Sequence, residues 1–284
     1  MNTGSVAQRL ADTPGVARTI LGAARAARGM PGADPRAMSH SWLFTGPPGS
    51  GRSLAAIDFA AALMCTDPEE PGCGRCEACR AVLETKQHTD LVLVDPQEVI
   101  IPVDTVREVI GRAASLPTVA PWRVVIFNNA DRLNNNGANA LLKTVEEPPA
   151  RTVIIMCAPS DAPEDFSQTL RSRCRHLYIP SPSVKSITSQ LVSEGASDHD
   201  AHLAALTSLR HVGRARRLVN DPAVQKRRAV AINLAEEVFH GSQGFQAVTS
   251  LLKMVDAEAK DSHKEQEEAE LAKLEQTLGV GAKG

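Results

Sequence analysis

The stretch GPPGSGRS, Gly46 to Ser53, constrains this chain more than any other. It lies between a short apolar run, Trp42 to Thr45, and an alanine-rich segment, RSLAAIDFAAALM, that suits a helix. Strand, glycine loop and helix in that order form the context of a phosphate-binding loop, G-x-x-x-x-G-K-[ST]. There the glycines let successive backbone N–H groups face phosphate oxygens, the lysine reaches the β and γ oxygens, and the hydroxyl binds Mg²⁺. Gly46, Gly51 and Ser53 keep their places around Pro47, Pro48, Gly49 and Ser50, but Arg52 stands where the lysine belongs. A planar guanidinium fork cannot take a lysine's point position, so binding of ATP or ADP is expected to be weak or absent. The plainer reading is a Gly/Pro-rich turn that only joins a strand to a helix.

Segments on either side extend the pattern. Val16 to Arg28 has helical apolar spacing, and GMPGADPR after it reads as a loop. DLVLVDP, Asp90 to Pro96, reads as a buried strand, and Val103 to Ser115 as an amphipathic helix. Arg123 to Phe127 and TVIIMCAP are further apolar strands, separated by a helix that Pro148 and Pro149 stop. A short helix ending near Arg171 and a strand from His176 to Ile179 follow. Strands that alternate with helices and stay apolar throughout predict an α/β domain with a buried parallel sheet. Beyond Ser183 the strand signals stop and the pattern is helical, ending in a strongly charged stretch that reads as a solvated helix or partly disordered tail.

Hydrolysis of a bound nucleotide needs an acid at the end of a later apolar strand to hold Mg²⁺, and many such sites add a Glu that positions water. In VVIFNNADRL those places hold Asn128 and Asn129. Neutral amides bring no charge to a metal and cannot act as a base. Asp131 is read as a helix-capping acid rather than a displaced catalytic one. Three departures at one site predict a loop without hydrolysis.

Cys65, Cys73, Cys76 and Cys79 are spaced C-x₇-C-x₂-C-x₂-C. Four thiolates suit tetrahedral Zn²⁺ and leave no open position, so this is a structural metal site by its chemistry. The spacing also admits an iron–sulfur cluster, or reduced buried thiols, although TDPEEPGCGRCEACR is polar and glycine-bearing, unlike a core that hides idle cysteines. Cys157, on an apolar strand, reads as core, and His88 lies near enough in sequence to approach the cysteines.

A formal net charge of −2 over 284 residues gives no bulk attraction to nucleic acid or anionic membrane. With aromatics at 3% and a closed metal site, a zinc-bearing DNA-binding module is disfavoured. No apolar run approaches the roughly 20 residues that span a bilayer, and the N-terminus lacks a signal pattern, which predicts a cytoplasmic protein without membrane contact.

SWLFTGPPGSGRS, the cysteine segment, GANALLKTVEEPP and LRSRCR, in this order, resemble the delta-prime subunits of the bacterial DNA polymerase III clamp loader over about Ser39 to Asn220. The resemblance implies an AAA+ P-loop-like α/β domain over 1–180 with a zinc module inserted at about 65–79. A helical lid over 181–225 and the start of a helical collar over 226–284, incomplete where the chain stops at Gly284, are implied in the same way. Members of the family commonly lack competent ATP sites. In them the motif matched here by Ser172, Arg173 and Cys174 supplies an arginine finger in trans to the ATP of a neighbouring motor subunit. Arg216, in GRARR, matches the lid's sensor arginine. The implied partners are the gamma/tau and delta subunits of a hetero-pentameric ring, with the sliding clamp and primed DNA reached through the complex. By membership the complex is a nucleotidyltransferase, DNA-directed DNA polymerase III, while this chain is expected to be neither polymerase nor competent ATPase. The alternative is a hydrolysing gamma/tau-like motor that tolerates Arg52. Without the resemblance, Arg173 reads as a surface arginine, and Lys143, Glu146 and Glu147 as solvent-facing charges.

Overall fold

The computed structural model describes residues 4–96, 99–237, 244–246, 248–257 and 259–260. The chain divides into two compact units, Met1–Ala215 and Arg216–Gly284.

The first unit is built on five strands, β1 (Ser41–Thr45), β2 (Leu91–Val94), β3 (Arg123–Phe127), β4 (Thr152–Ala158) and β5 (Arg175–Tyr178), in the order β2-β3-β4-β1-β5. Every pairing is parallel, with Leu43 opposite Met156 and Phe44 opposite Leu177. Strands β1, β3 and β4 are buried along their whole length. That is why they read as unbroken apolar runs: both faces of the sheet are covered. The period of two then sorts side chains between two cores. Trp42, Phe44, Val124, Ile126, Val153 and Ile155 enter one, whereas Leu43, Val125, Phe127, Ile154 and Met156 enter the other.

The first core is closed by α2 (Pro14–Ala27) and α3 (Arg52–Met64). Five alanines on α3 let its backbone lie close to the sheet, and Ala55 to Met64 are all buried. Phe59 meets Trp42 edge to face at 5.2 Å between ring centres. The same helix buries Asp58, which accepts from Arg9 Nε at 2.6 Å at the end of α1 (Val6–Arg9). Burial pushes the Asp58 carboxyl up, and the arginine opposes that shift. After the short α4 (Glu77–Arg80), the second core is closed by α5 (Val103–Ala113), α6 (Asn135–Glu146) and α7 (Gln168–Arg171).

Asp90, just before β2, is fully buried and saturated. It accepts from the backbone N–H of Thr118, Val119 and Ala120 at 2.8–2.9 Å and from Arg123 Nη2 at 2.9 Å. These donors hold its carboxyl well below the usual range despite burial.

Three helices follow the sheet: α8 (Val184–Ser193), α9 (Asp198–Thr207) and α10 (Val212–Asn220). Ser183 and Ser197 cap the first two, accepting from Ser186 N–H at 3.0 Å and Asp200 N–H at 3.1 Å. In the second unit, α11 (Pro222–Glu237) starts with proline in its first turn, and residues 244–246 and 248–257 are helical. The charged stretch from 261 onward lies outside the described residues. Among the described residues no helix is long and apolar enough to cross a membrane.

Candidate functional site

The phosphate-type loop occupies the turn from β1 into α3. Gly49 and Gly51 have φ of 83° and 88°, a left-handed conformation that favours glycine, and Gly51 is the N-cap of α3. The chain's own groups crowd this loop. A Cβ at Gly49 would lie 2.4 Å from His211 Cγ, and one at Gly46 would lie 2.3 Å from the Ile179 carbonyl oxygen. Arg52 turns back, its Nη1 donating to Gly46 O at 2.9 Å, so the guanidinium closes the loop on itself. Arg52 Nε and the Ser50 hydroxyl are buried without hydrogen-bond partners. His211 is pushed toward its neutral form, first by burial and then by Arg214 and Arg52. Pro47 and Pro48 form the outer turn, where Ser50 N–H donates to Pro47 O at 2.9 Å, and Ser53 is the second residue of the helix.

At the tip of β3, Asn128 N–H donates to Val94 O at 2.9 Å, which continues the sheet register. Asn128 Oδ1 is buried and unpartnered, and Asn129 has φ 53°. Among the described residues no carboxylate stands at the tip itself. Asp131 is exposed within a short turn, Ala130–Arg132, and the side chain that caps α6 is Asn134, accepting from Gly137 N–H at 2.8 Å. The capping role expected of Asp131 for this helix therefore falls to Asn134, because α6 starts one turn later. These residues do not fit a hydrolysing nucleotide site.

The four cysteines come together. Their sulfurs all lie within 4.8 Å of one another, and those of Cys65 and Cys76 are 3.8 Å apart. Metal–sulfur bonds of about 2.3 Å in a tetrahedron place sulfurs about 3.8 Å apart, so the cluster fits one tetrahedral ion. Backbone N–H groups of Asp67, Cys76 and Cys79 donate to the sulfurs of Cys65, Cys73 and Cys76, each at 3.4 Å. That pattern favours thiolates. The Cys65 thiol is pulled down to about 4, first by its hydrogen bond with Cys79, while the same bond pushes Cys79 up. His88 is not part of the group, since its Nδ1 accepts from Asp90 N–H at 3.0 Å. Cys157 belongs to the first core, and burial pushes its thiol up to about 12.

The module is stitched to the C-terminal end of α3 and to the two helices that precede the sheet. Cys65 is the C-cap of α3, Val6 N–H donates to Gly72 O at 2.8 Å, and Arg28 donates to Asp67 O. Asp67 in turn accepts from Arg75 at 2.7 Å. One helix thus joins the glycine loop to the cysteine cluster over about 20 Å.

Ser172, Arg173 and Cys174 turn the chain from α7 into β5. Cys174 is buried in the second core, where burial pushes its thiol up to about 12. Ser172 is exposed and donates to Thr169 O at 2.9 Å. Arg173 lies at the surface, with Nε donating to Glu146 Oε1 at 2.5 Å and Nη1 to Thr169 O at 2.8 Å. Glu146 is thus a partner of Arg173 and not a purely solvent-facing charge; the available sign was two acids at a helix C-terminus, where the dipole disfavours them.

A second network ties this turn to the glycine loop. Arg171 Nε donates to Asp161 Oδ2 at 3.0 Å, and Arg171 Nη2 donates to His176 Nδ1 at 3.2 Å. An imidazole that accepts at Nδ1 carries its proton on Nε2, so His176 donates to Thr45 Oγ1 at 2.6 Å. Burial, then Arg171, pushes the His176 pKa down, against the pull of Asp161. Neither this network nor the approach of His211 to Gly49 has a local sequence signal, since each joins residues far apart in the chain. Arg216 lies on α10 at the start of the second unit.

Comparison with known proteins bears on the whole arrangement. The chain is 36% identical over 147 residues to the DNA polymerase III subunit delta' of Pseudomonas aeruginosa, covering 51% of this chain and 44% of that protein. It is 29% identical over 207 residues to the subunit delta' of Bacillus subtilis, covering 73% and 61%. It is also 32% identical over 155 residues to the B. subtilis DNA polymerase III subunit tau, covering 54% and 26%. The chain thus spans about half the length of the curated delta' relatives it matches. Residues 33–183, more than half of the sequence, match the family described as DNA polymerase III, delta subunit, and the chain belongs to that family.

Proposed function

We propose that this chain is a delta-prime-type, non-hydrolysing subunit of a bacterial DNA polymerase III clamp loader that lends Arg173 to ATP held by a neighbouring motor subunit. The observation that carries the reading is the tip of β3, where Asn128 and Asn129 leave no carboxylate to hold Mg²⁺ or orient water. Arg52, bonded to Gly46 O, supports it, because the one cation in the loop is spent on the loop itself. The names of the delta' relatives support the assembly.

On this reading residues 1–180 are the AAA+ domain, 181–225 the lid and 226–284 a collar segment. The partners are gamma/tau and delta subunits in a five-membered ring, acting in the cytoplasm on a sliding clamp and primed DNA. Cys65, Cys73, Cys76 and Cys79 would hold a structural Zn²⁺, which brings order to the end of α3 and no catalytic position. Gly46 to Ser53 bind ATP or ADP weakly or not at all, and Arg216 serves lid packing or a weak nucleotide contact.

A guanidinium placed from outside stabilises charge that develops on the transferring phosphoryl oxygens, an effect worth about a thousandfold or more in rate. Arg173→Ala in the assembled loader is therefore expected to lower clamp- and DNA-stimulated ATP turnover by about that factor while the complex still forms. Unchanged turnover would remove Arg173 from the mechanism. The similarity to the tau subunit favours one other reading, a motor that hydrolyses its own ATP. Turnover by the purified protein alone, abolished by Arg52→Ala, would establish it.

A further inference from the structure

We propose that Glu146 is a positioning residue for Arg173, fixing its guanidinium before a phosphate arrives; the inference rests on the finger reading of Arg173. The backbone under Arg173 is already held, because Leu170 and Cys174 are buried on either side of it. Arg171, two residues earlier, is tied to Asp161 and His176. What remains free is the long side chain.

Of its five N–H donors, Nε is taken by Glu146 at 2.5 Å and Nη1 by Thr169 O at 2.8 Å and Ser172 Oγ at 3.2 Å. Among the described residues no partner faces Nη2. The group is thus held from both sides, at Nε and at Nη1, with the Nη2 donors between them unspent. An arginine held in this way enters a phosphoryl-transfer site with its orientation settled, so less order has to be imposed during the reaction.

The place of Glu146 in its own helix argues the same way. It is the last residue of α6 and is followed by Glu147, and a carboxylate at a helix C-terminus meets the negative end of the dipole. The helix gains nothing from an acid there. An exposed ion pair adds little to stability either, and the Glu146 side chain is 46% exposed. The geometry points to orientation as its use.

The test is stimulated ATP turnover by the assembled loader carrying the protein with Glu146→Ala, Glu146→Gln, Arg173→Ala, or Glu146→Ala together with Arg173→Ala. Glu146→Ala is expected to lower kcat by about tenfold or more with KM for ATP unchanged. Glu146→Gln keeps an oxygen acceptor for Nε and should recover most of the rate. The double variant should match Arg173→Ala alone, and Tm and assembly should not move. A normal or raised kcat in Glu146→Ala, a further loss in the double variant, or a fall in Tm that accounts for the rate would overturn the assignment while Arg173→Ala still loses activity. No loss in Arg173→Ala would overturn both the finger reading and this one.

Discussion

At the scale of single residues, the strongest constraint on stability is the Asp90 carboxylate. It is fully buried and satisfies three backbone N–H groups on the Thr118–Ala120 loop as well as Arg123. Asp90→Ala would leave the Arg123 guanidinium, itself 7% exposed, without its counter-charge. The expected cost is about 3–5 kcal/mol, read from denaturant unfolding with an unchanged m-value. The carboxyl is depressed on folding, so its contribution is complete above the unfolded value of about 3.9 and is lost as pH falls below it. A variant whose stability still dropped like the parent's below that pH would show that other carboxylates dominate acid unfolding. That Asp90 precedes a strand was legible in DLVLVDP; that it organises a loop some thirty positions later was not, because hydrogen bonds between distant segments leave no periodic trace.

Among elements, α3 matters most, since it runs from the glycine loop to the first cysteine. Its alanine content was readable as a helix, and its full burial follows from packing flat against the sheet. The cysteine cluster holds the far end of the helix and, through Val6 and Gly72, the N-terminal helix as well. Removing a structural ion from such a cluster leaves four crowded thiols with one pulled down to about 4 and another pushed up. We expect chelation, with loss of zinc confirmed by metal analysis, to lower Tm by about 10–20 °C, corresponding to about 5 kcal/mol. An unchanged Tm after confirmed loss would mean that the cores alone hold α3 in place. The spacing C-x₇-C-x₂-C-x₂-C predicted this cluster because all four ligands lie within one short covalent segment. Its attachment to residues 4–10 was not predictable, since Gly72 and Gly74 meet that segment only in the folded chain.

In the whole molecule, the state of the glycine loop depends on residues that arrive from its far side. His211 lies against Gly49 at a distance that admits no Cβ. Gly49→Ala, strained at φ 83° as well as crowded, is expected to cost about 1–3 kcal/mol. His211→Gly in the same chain should remove the contacts with Cγ at 2.4 Å and Cβ at 2.7 Å but not the one with Cα or the backbone strain, giving a measurable coupling of about 0.5–3 kcal/mol in a double-mutant cycle of unfolding. Additive losses would mean that strain alone sets the cost. Because folding depresses the His211 pKa, its contact is fully stabilising above about pH 6.5 and weakens as pH falls below that value. The sequence by itself determined the order of the five strands along the chain and the longer helices between them, the clustering of four cysteines and the missing acids at 128 and 129. Those properties rest on periodicity and short covalent spacing, which are local. Only the tertiary structure decided the strand order β2-β3-β4-β1-β5, the turning of Arg52 onto Gly46, the seat of His211 and the pairing of Arg173 with Glu146. Each of these joins groups whose distance is set by how the sheet is ordered and how its two faces pack, and no window of sequence contains both partners together with the packing that brings them into contact.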